Sequence, residues 1–277
     1  MARSRAHIRR SRLLPAASLE SRSIVTRREA RKRAGRAILM DSRDSSSSRS
    51  PNDSARPRVL ITAGPTHEPI DRVRYIGNRS SGRMGIALAE ACSARGWPAT
   101  LLLGPVAIPP PQHSHLSVLR FQTAADLQRL LWEHWPRHDL LMMAAAVADY
   151  TVAGVRGTES RATPEKLKRV NDRVTLELVP TPDLLASLSP ITRANQTVIG
   201  FALEPAADLM RESQRKLQGK RLDAIVANPL ETMDSSLVSA TLVFADGRSI
   251  PAPSKISKAE FALWLLDHIA QIRRRDS

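Results

Sequence analysis

From residue 58 onward, short apolar runs alternate with segments whose apolar residues recur every three or four positions. These patterns mark buried strands and amphipathic helices. Arg58–Thr62 reads as a first strand that breaks at Ala63-Gly64-Pro65-Thr66, and a polar loop follows. Helical spacing runs from about Gly82 to Arg95 and stops at Gly96, a natural C′ residue. Ala99–Leu103 and Val118–Gln122 are strands, separated by the proline-rich loop Pro105–Pro111. Thr123-Ala-Ala-Asp126 resembles a capping box opening a helix to His134. Asp139–Ala146 (DLLMMAAA) is continuously apolar, as a parallel strand covered on both faces must be.

The second half is less regular. Val174–Val179 alternates like a half-buried strand, and Pro182–Leu188 reads as a short helix with proline at its start. Strand Thr197–Ala202, a helix from about Ala206 to Gln218, and buried strand Asp223–Ala227 follow. Val238–Phe244 and Arg248–Ile250 form a hairpin around Asp246-Gly247. Ser257-Lys-Ala-Glu260 caps a last helix facing inward through Phe261, Leu265 and Ile269. The fold class is α/β: a single Rossmann-like, doubly wound, mainly parallel sheet flanked by helices, with a C-terminal hairpin. One domain over residues 58–277 accounts for the pattern.

Charge changes the picture only at the N-terminus. The 277-residue chain carries a formal net charge of +15. Residues 1–39 hold twelve Lys/Arg against two Asp/Glu, and residues 40–57 are neutral and include the run Ser45–Ser48. Residues 1–57 therefore read as a disordered basic and Ser-rich tail. A polyanion-binding arm, an organelle transit peptide, and an over-extended start upstream of Met40 are its other readings. No apolar run approaches the ~18–20 residues that span a bilayer. The single cysteine, Cys92, excludes internal disulfides, and its helical context makes it a small core residue. The expected location is the cytoplasm, with no membrane association.

In open α/β sheets, ligands gather at the carboxyl ends of strands, and that is where this chain places its polar residues. Gly64, Pro65 and Thr66, then Arg74, Asn78, Ser80 and Ser81, follow the first strand. Asp149, Tyr150 and Pro164-Glu165-Lys166-Leu167-Lys168 follow the apolar strand, Phe201–Glu204 ends another, and Asn228-Pro229 the next. Ser80-Ser81-Gly82-Arg83-Met84-Gly85 supplies the G-x-x-G end of a dinucleotide fingerprint without its first glycine. A strand, a glycine turn and a helix opening on small residues make a phosphate cradle. Taken singly, Lys166 and Lys168 fit a solvated loop equally well, and Asp149 fits a helix cap.

Six segments, in order and spacing, resemble phosphopantothenoylcysteine synthetase, the ligase half of the bacterial bifunctional coenzyme A biosynthesis protein. They are ITAGPT (61–66), VRYIGNRSSGRMG (73–85), AAVADY (145–150), PEKLK (164–168), GFALE (200–204) and DAIVAN (223–228). The resemblance implies that 4′-phosphopantothenate, L-cysteine and CTP, with Mg²⁺, give phosphopantothenoylcysteine, CMP and pyrophosphate through an acyl-cytidylate. It also implies a homodimer, formed through the irregular segment 151–179. The 57 preceding residues are too few and too polar for the decarboxylase half, so the expectation is a stand-alone synthetase.

By the same resemblance, Lys166 is the catalytic lysine, stabilising charge at the α-phosphate, and Thr151–Glu165 with Gly154 and Gly157 is a closing lid. Asn78 and Arg74 hold the acyl end of the intermediate, beside Ala145. Gly64, Ser80, Ser81 and Gly82 meet phosphate. Met143, Ala144, Ala145, Asp149, Phe201, Ala202, Leu203 and Glu204 line the CTP pocket, and Lys216 and Lys220 reach the triphosphate. An ordinary exposed charged face explains the last two equally simply. The chain departs from the family at Gly77, where serine is frequent, at Arg83 and Arg169 in place of lysines, and at Glu204-Pro205, which lacks a following threonine. Arginine keeps the charge but changes the geometry.

Two rival readings remain. An NAD(P)-dependent Rossmann reductase suffers from the missing glycine and from the lack of a Tyr-x-x-x-Lys pair after Tyr150. A nucleic-acid-binding protein suffers because the charge sits in the tail and aromatics are only 4% of residues, too few for base stacking. No specific nucleic-acid partner is expected.

Overall fold

The computed structural model describes residues 56–156, 166–169, 173–233 and 235–275. The readings of residues 1–55, of Gly157 and of Pro164-Glu165 lie outside the described residues.

Eight strands form the central sheet. They are β1 (Val59–Ala63), β4 (Ala99–Leu103), β5 (Leu116–Arg120), β6 (Leu140–Met143), β9 (Thr197–Glu204), β10 (Ala224–Pro229), β12 (Thr241–Phe244) and β13 (Ser249–Pro251). Their order is β13-β12-β10-β9-β6-β1-β4-β5. The first six in the chain run parallel, and β12 and β13 add an antiparallel edge. The chain builds outward from β1 through β4 and β5, then returns to lay β6 on the other side of β1. That reversal puts a topological switch point between the carboxyl ends of β1 and β6. The expected doubly wound fold and C-terminal hairpin are both present.

Period-two alternation sorts the side chains into two cores. Val59, Ile61, Ala63, Leu140 and Met142 pack on one face, under α1 (Arg83–Ala94) and α5 (Lys258–Arg275). Leu60, Leu141 and Met143 pack on the other, with α2 (Ala124–His134), α3 (Leu184–Leu188) and α4 (Leu209–Gly219). All five β1 side chains are buried, and each large one gains about 1.5–3 kcal/mol from leaving water. The expected capping box at Thr123 and Asp126 forms, each side chain bonding the other residue's backbone N–H. Phe261, Leu265 and Ile269 are fully buried, as their spacing predicts. Cys92 is a core residue of α1, with burial pushing its thiol up to about 12.

Two segments differ from the sequence reading. The polar loop after β1 contains a small antiparallel hairpin, β2 (His67–Pro69) with β3 (Tyr75–Gly77). Three-residue strands are too short to leave a periodicity. Buried Glu68 anchors it by accepting the Ala124 N–H at 2.8 Å. Segment 151–156 is not a loop but part of β7 (Tyr150–Arg156), which pairs with β8 (Thr175–Pro180) as a separate two-stranded arm. Its register shifts between Val152 and Gly154, as at a β-bulge. Nor is 174–179 half-buried: Val174, Leu178 and Val179 are exposed among the described residues.

His138 offers a pH test of the β6 entry. Its Nδ1 lies 2.7 Å from the His134 carbonyl, which can only accept, so Nδ1 carries the proton and Nε2 accepts from the Thr100 hydroxyl at 3.0 Å. That arrangement suits a neutral ring, and burial holds its pKa below the usual histidine value. A pKa depressed on folding means that the unfolded chain binds the extra proton. The stabilisation is thus complete above about 6.5 and is lost as pH falls below it. We expect the melting temperature to drop between pH 7 and 5 more steeply in the wild type than in His138→Gln. Equal slopes would remove His138 from this role.

Candidate functional site

Beyond their regular ends, β1 and β6 remain laced together. Thr66 N–H donates to the Ala146 carbonyl at 3.1 Å, and Ala146 N–H donates to Gly64 at 2.9 Å. Ala145 N–H reaches Thr62 Oγ1 and Ala148 N–H reaches Thr66 Oγ1, both at 3.0 Å. Gly64 turns the chain here with φ +81°, a conformation that side-chain-bearing residues rarely adopt. The lacing fixes the floor of a crevice at the switch point.

Across that floor stands the N-terminus of α1. Gly82, its N-cap, has φ +71°; no side chain caps the helix and its first turn holds no acidic residue. An uncapped helix start with a partial positive charge favours an anion. Gly85 lets the helix sit directly on β1, since a Cβ there would lie 2.4 Å from the Ala63 Cβ.

This end opens into a cavity of about 380 Å³, within the size range of small-molecule sites. Its near wall is Ser80, Ser81, Gly82 and Arg83, with Ala144 behind, and its far wall includes Phe201, Asn228 and Lys258. Of the sequence-predicted residues, Ser80, Ser81, Gly82, Ala144, Phe201 and Leu203 meet here. Strand alternation separates the rest of each segment. Phe201 packs toward the α1 face while Ala202 is in the core of the opposite face. Ala144 likewise faces the α1 side, and Met143 and Ala145 the other. Met143 accepts the Thr62 hydroxyl on Sδ at 3.3 Å.

The remaining predicted residues are placed around the same strand ends. Asn78 Nδ2 donates to the Val147 carbonyl at 2.9 Å, tying the loop before α1 to the β6 exit. Asp149 is exposed there, its carbonyl accepting the Thr181 N–H at 2.9 Å. Lys216 meets Glu204 Oε1 at 2.5 Å and Lys220 meets Asp183 Oδ2 at 3.1 Å. Lys216 on α4 and Lys220 just after it are therefore engaged with carboxylates, and neither lines the cavity. Lys166 is exposed on a segment outside helix and strand.

Arg74 is paired rather than open. Its Nε donates to Asp71 Oδ2 at 2.9 Å, its Nη2 bonds the same oxygen, and Nη2 also donates to the Leu167 carbonyl at 3.0 Å. The Arg74 guanidinium beside Asp71 holds that carboxyl far below the usual carboxylate range, helped by N–H bonds from Arg74, Val73 and Leu167 against the opposing effect of burial. Sequence reasoning missed Asp71, Lys258 and the part of the cavity wall made by Thr232, Met233 and Ser235. The i,i+3 spacing of Asp71 and Arg74 was a legible signal. Lys258 was not, because within Ser257–Glu260 it reads only as part of a helix cap.

Comparison with known proteins adds the family. Residues 55–272 match the DNA/pantothenate metabolism flavoprotein C-terminal domain. A protein of an unknown prokaryotic organism, named cysteine/cysteine sulfinic acid decarboxylase, is 42% identical over 63% of this chain and 46% of its own length. The coenzyme A biosynthesis bifunctional protein CoaBC of Vibrio vulnificus (strain CMCP6) is 37% identical over 71% of this chain and 48% of that protein. The chain thus spans about half the length of these curated relatives. The crystal structure of a CoaBC C-terminal domain superposes with a TM-score of 0.65 at 31% identity, covering 80% of this chain and 99% of that one.

The close approach at Gly85 is testable. Gly85→Ala should destabilise the protein by about 1–3 kcal/mol through overpacking, less any gain in helix propensity, in urea unfolding. Gly219→Ala, with nothing within 4 Å of the added methyl, should be neutral or stabilising by up to ~1 kcal/mol. Equal effects of the two substitutions would refute the packing role.

Proposed function

Because the chain belongs to the family of the DNA/pantothenate metabolism flavoprotein C-terminal domain, we propose that it is a phosphopantothenate–cysteine ligase. It joins 4′-phosphopantothenate to L-cysteine at the expense of CTP, in coenzyme A biosynthesis. The observation that carries this reading is the uncapped α1 start, with Ser80, Ser81 and Gly82 opening into a cavity that Phe201 and Asn228 share. Such an opening accepts a nucleotide phosphate without the dinucleotide fingerprint of a reductase.

A carboxylate does not condense with an amine until one of its oxygens can leave. In the proposed reaction, the 4′-phosphopantothenate carboxylate attacks the α-phosphorus and the bond to pyrophosphate breaks. The cysteine amine then attacks the acyl carbon, CMP departs with the former carboxylate oxygen, and the ammonium proton passes to solvent. Lys166 supplies a fixed cation where charge builds at the α-phosphate. Asn78 and Arg74, beside Ala145, orient the acyl end. Gly64 and the α1 start take phosphate, and Met143, Ala144, Asp149 and Phe201–Glu204 border the nucleotide. Lys216 and Lys220 serve the triphosphate by exchanging their carboxylate partners for it.

Among the described residues, no cluster of three or more His, Cys, Asp or Glu could hold a metal ion. The proposed Mg²⁺ arrives with the substrate, carried on triphosphate oxygens, which with water are its usual ligands. A homodimer is part of the same reading, supported by exposed Tyr150, Val174, Leu178 and Val179 on the β7–β8 arm, since clustered apolar exposure marks association surfaces. Among the described residues, no helix is long and apolar enough to cross a membrane. A cytoplasmic location follows from the proposed pathway.

Two measurements test the assignment. CTP with Mg²⁺ at ~100 times its Kd should stabilise the protein by about 2.7 kcal/mol and drive pyrophosphate release with both co-substrates present. NADPH or an oligonucleotide stabilising it instead would overturn the reading, and ATP outperforming CTP would overturn the nucleotide choice. Lys166→Gln should lower kcat by ~10²–10³-fold, as loss of one charge-stabilising group does. Near-wild-type turnover would remove Lys166 from the chemistry.

A further inference from the structure

Asp71 occupies the turn of the β2–β3 hairpin, between half-buried Ile70 and exposed Arg72, yet its side chain is fully covered. The turn itself closes through Ile70 N–H to the Arg74 carbonyl at 2.8 Å. Asp71 Oδ1 accepts the Val73 and Arg74 N–H groups, both at 2.8 Å. This is the local bonding expected of an aspartate in a turn. Oδ2 does something different. Besides the Arg74 guanidinium, it accepts the N–H of Leu167 at 3.1 Å, 96 residues away in sequence. Arg74 Nη2 completes the contact on the Leu167 carbonyl at 3.0 Å.

Both backbone polar groups of Leu167 are thus held by one ion pair. Two bonds to a single residue fix the orientation of its backbone as well as its position. Leu167 directly follows Lys166, and residues 166–169 belong to no helix or strand, so no regular backbone ladder places them. The hairpin that carries the clasp is itself anchored to α2 through Glu68. We propose that Asp71 is a positioning residue that, through the backbone of Leu167, sets where the Lys166 ammonium stands. The inference rests on the reading of Lys166 given above.

Asp71→Asn separates the two halves of this side chain. The amide oxygen can keep the turn bonds of Oδ1, whereas an NH₂ group in place of Oδ2 faces the Arg74 and Leu167 donors with nothing to accept them. Leu167→Pro removes the N–H bond to Oδ2 from the other side, since proline has no N–H, keeps the carbonyl that Arg74 bonds, and leaves the hairpin sequence unchanged. The experiment uses the full chain of each variant. Tryptic cleavage after Lys168, a site that both variants keep, is followed by mass spectrometry, and kcat and KM for CTP are measured in parallel with Lys166→Gln as a reference.

Both variants are expected to be cut at least several-fold faster after Lys168. Their kcat should fall ~10–100-fold, the scale of a small misplacement at a reacting centre, with KM within about threefold and melting temperatures near wild type. Unchanged cleavage overturns the clasp. Faster cleavage with kcat within twofold of wild type, while Lys166→Gln is inactive, overturns the positioning role. Wild-type turnover of Lys166→Gln overturns the role of Lys166 and this proposal with it. That failure is distinguishable because the cleavage difference persists without any dependence of turnover on Lys166.

Discussion

The site depends on the continued pairing of β1 and β6 past their last regular residues. Parallel strands that part at a switch point leave backbone N–H and C=O groups facing a crevice, and such groups are costly to bury unpaired. Here the two exits satisfy each other through Gly64, Thr66 and Ala146, with hydroxyls of Thr62 and Thr66 serving the backbone N–H groups of Ala145 and Ala148. The exits are held close enough to form one floor. From it the hairpin, the loop bearing Asn78 and the β7–β8 arm all depart.

A floor without charge would bind little, and the polarity comes from α1. Two glycines with distinct tasks put the helix there. Gly82 adopts a left-handed conformation to turn the chain into the helix, and Gly85 lets the helix touch Ala63. An ordinary helix would spend its first N–H groups on a capping side chain. This one leaves its start uncapped, toward a cavity that also carries Arg83 and Lys258. The same local defect that weakens the helix as a structural element equips it for an anion.

Much of the fold was legible because it follows from periodicity. The apolar run after Asp139 read as a parallel strand buried on both faces, which Leu140–Met143 is, and the spacing of Phe261, Leu265 and Ile269 read as one face of a helix. What escaped was whatever is too short or too exposed to leave a period. The three-residue strands of the β2–β3 hairpin lie within polar sequence, and the alternation of Val174–Val179 suggested a buried face, whereas Val174, Leu178 and Val179 are exposed among the described residues. The candidate site was legible as a set of strand ends but not as a surface. Segments such as Phe201–Glu204 read as contiguous lining, yet alternation sends Phe201 toward the α1 side and Glu204 into contact with Lys216 on α4.

That division has a physical consequence for the charged residues. Lys216 and Lys220 are engaged with Glu204 and Asp183, and Arg74 with Asp71. These three cations thus stand beside carboxylates that compensate them before any anion arrives. On the proposed reading, a triphosphate entering at these residues would displace a partner rather than fill a vacancy, and the cost differs from pair to pair. The lysine pairs bridge β9 or the start of α3 to α4 through one ammonium each, a contact that can be exchanged with little rearrangement. The Asp71–Arg74 pair also holds backbone groups on both sides, so opening it would release the turn and the Leu167 segment together. On the proposed reading the two kinds of pair would divide the work: the lysines would yield to a ligand, while Asp71 would keep the loop in place as they do.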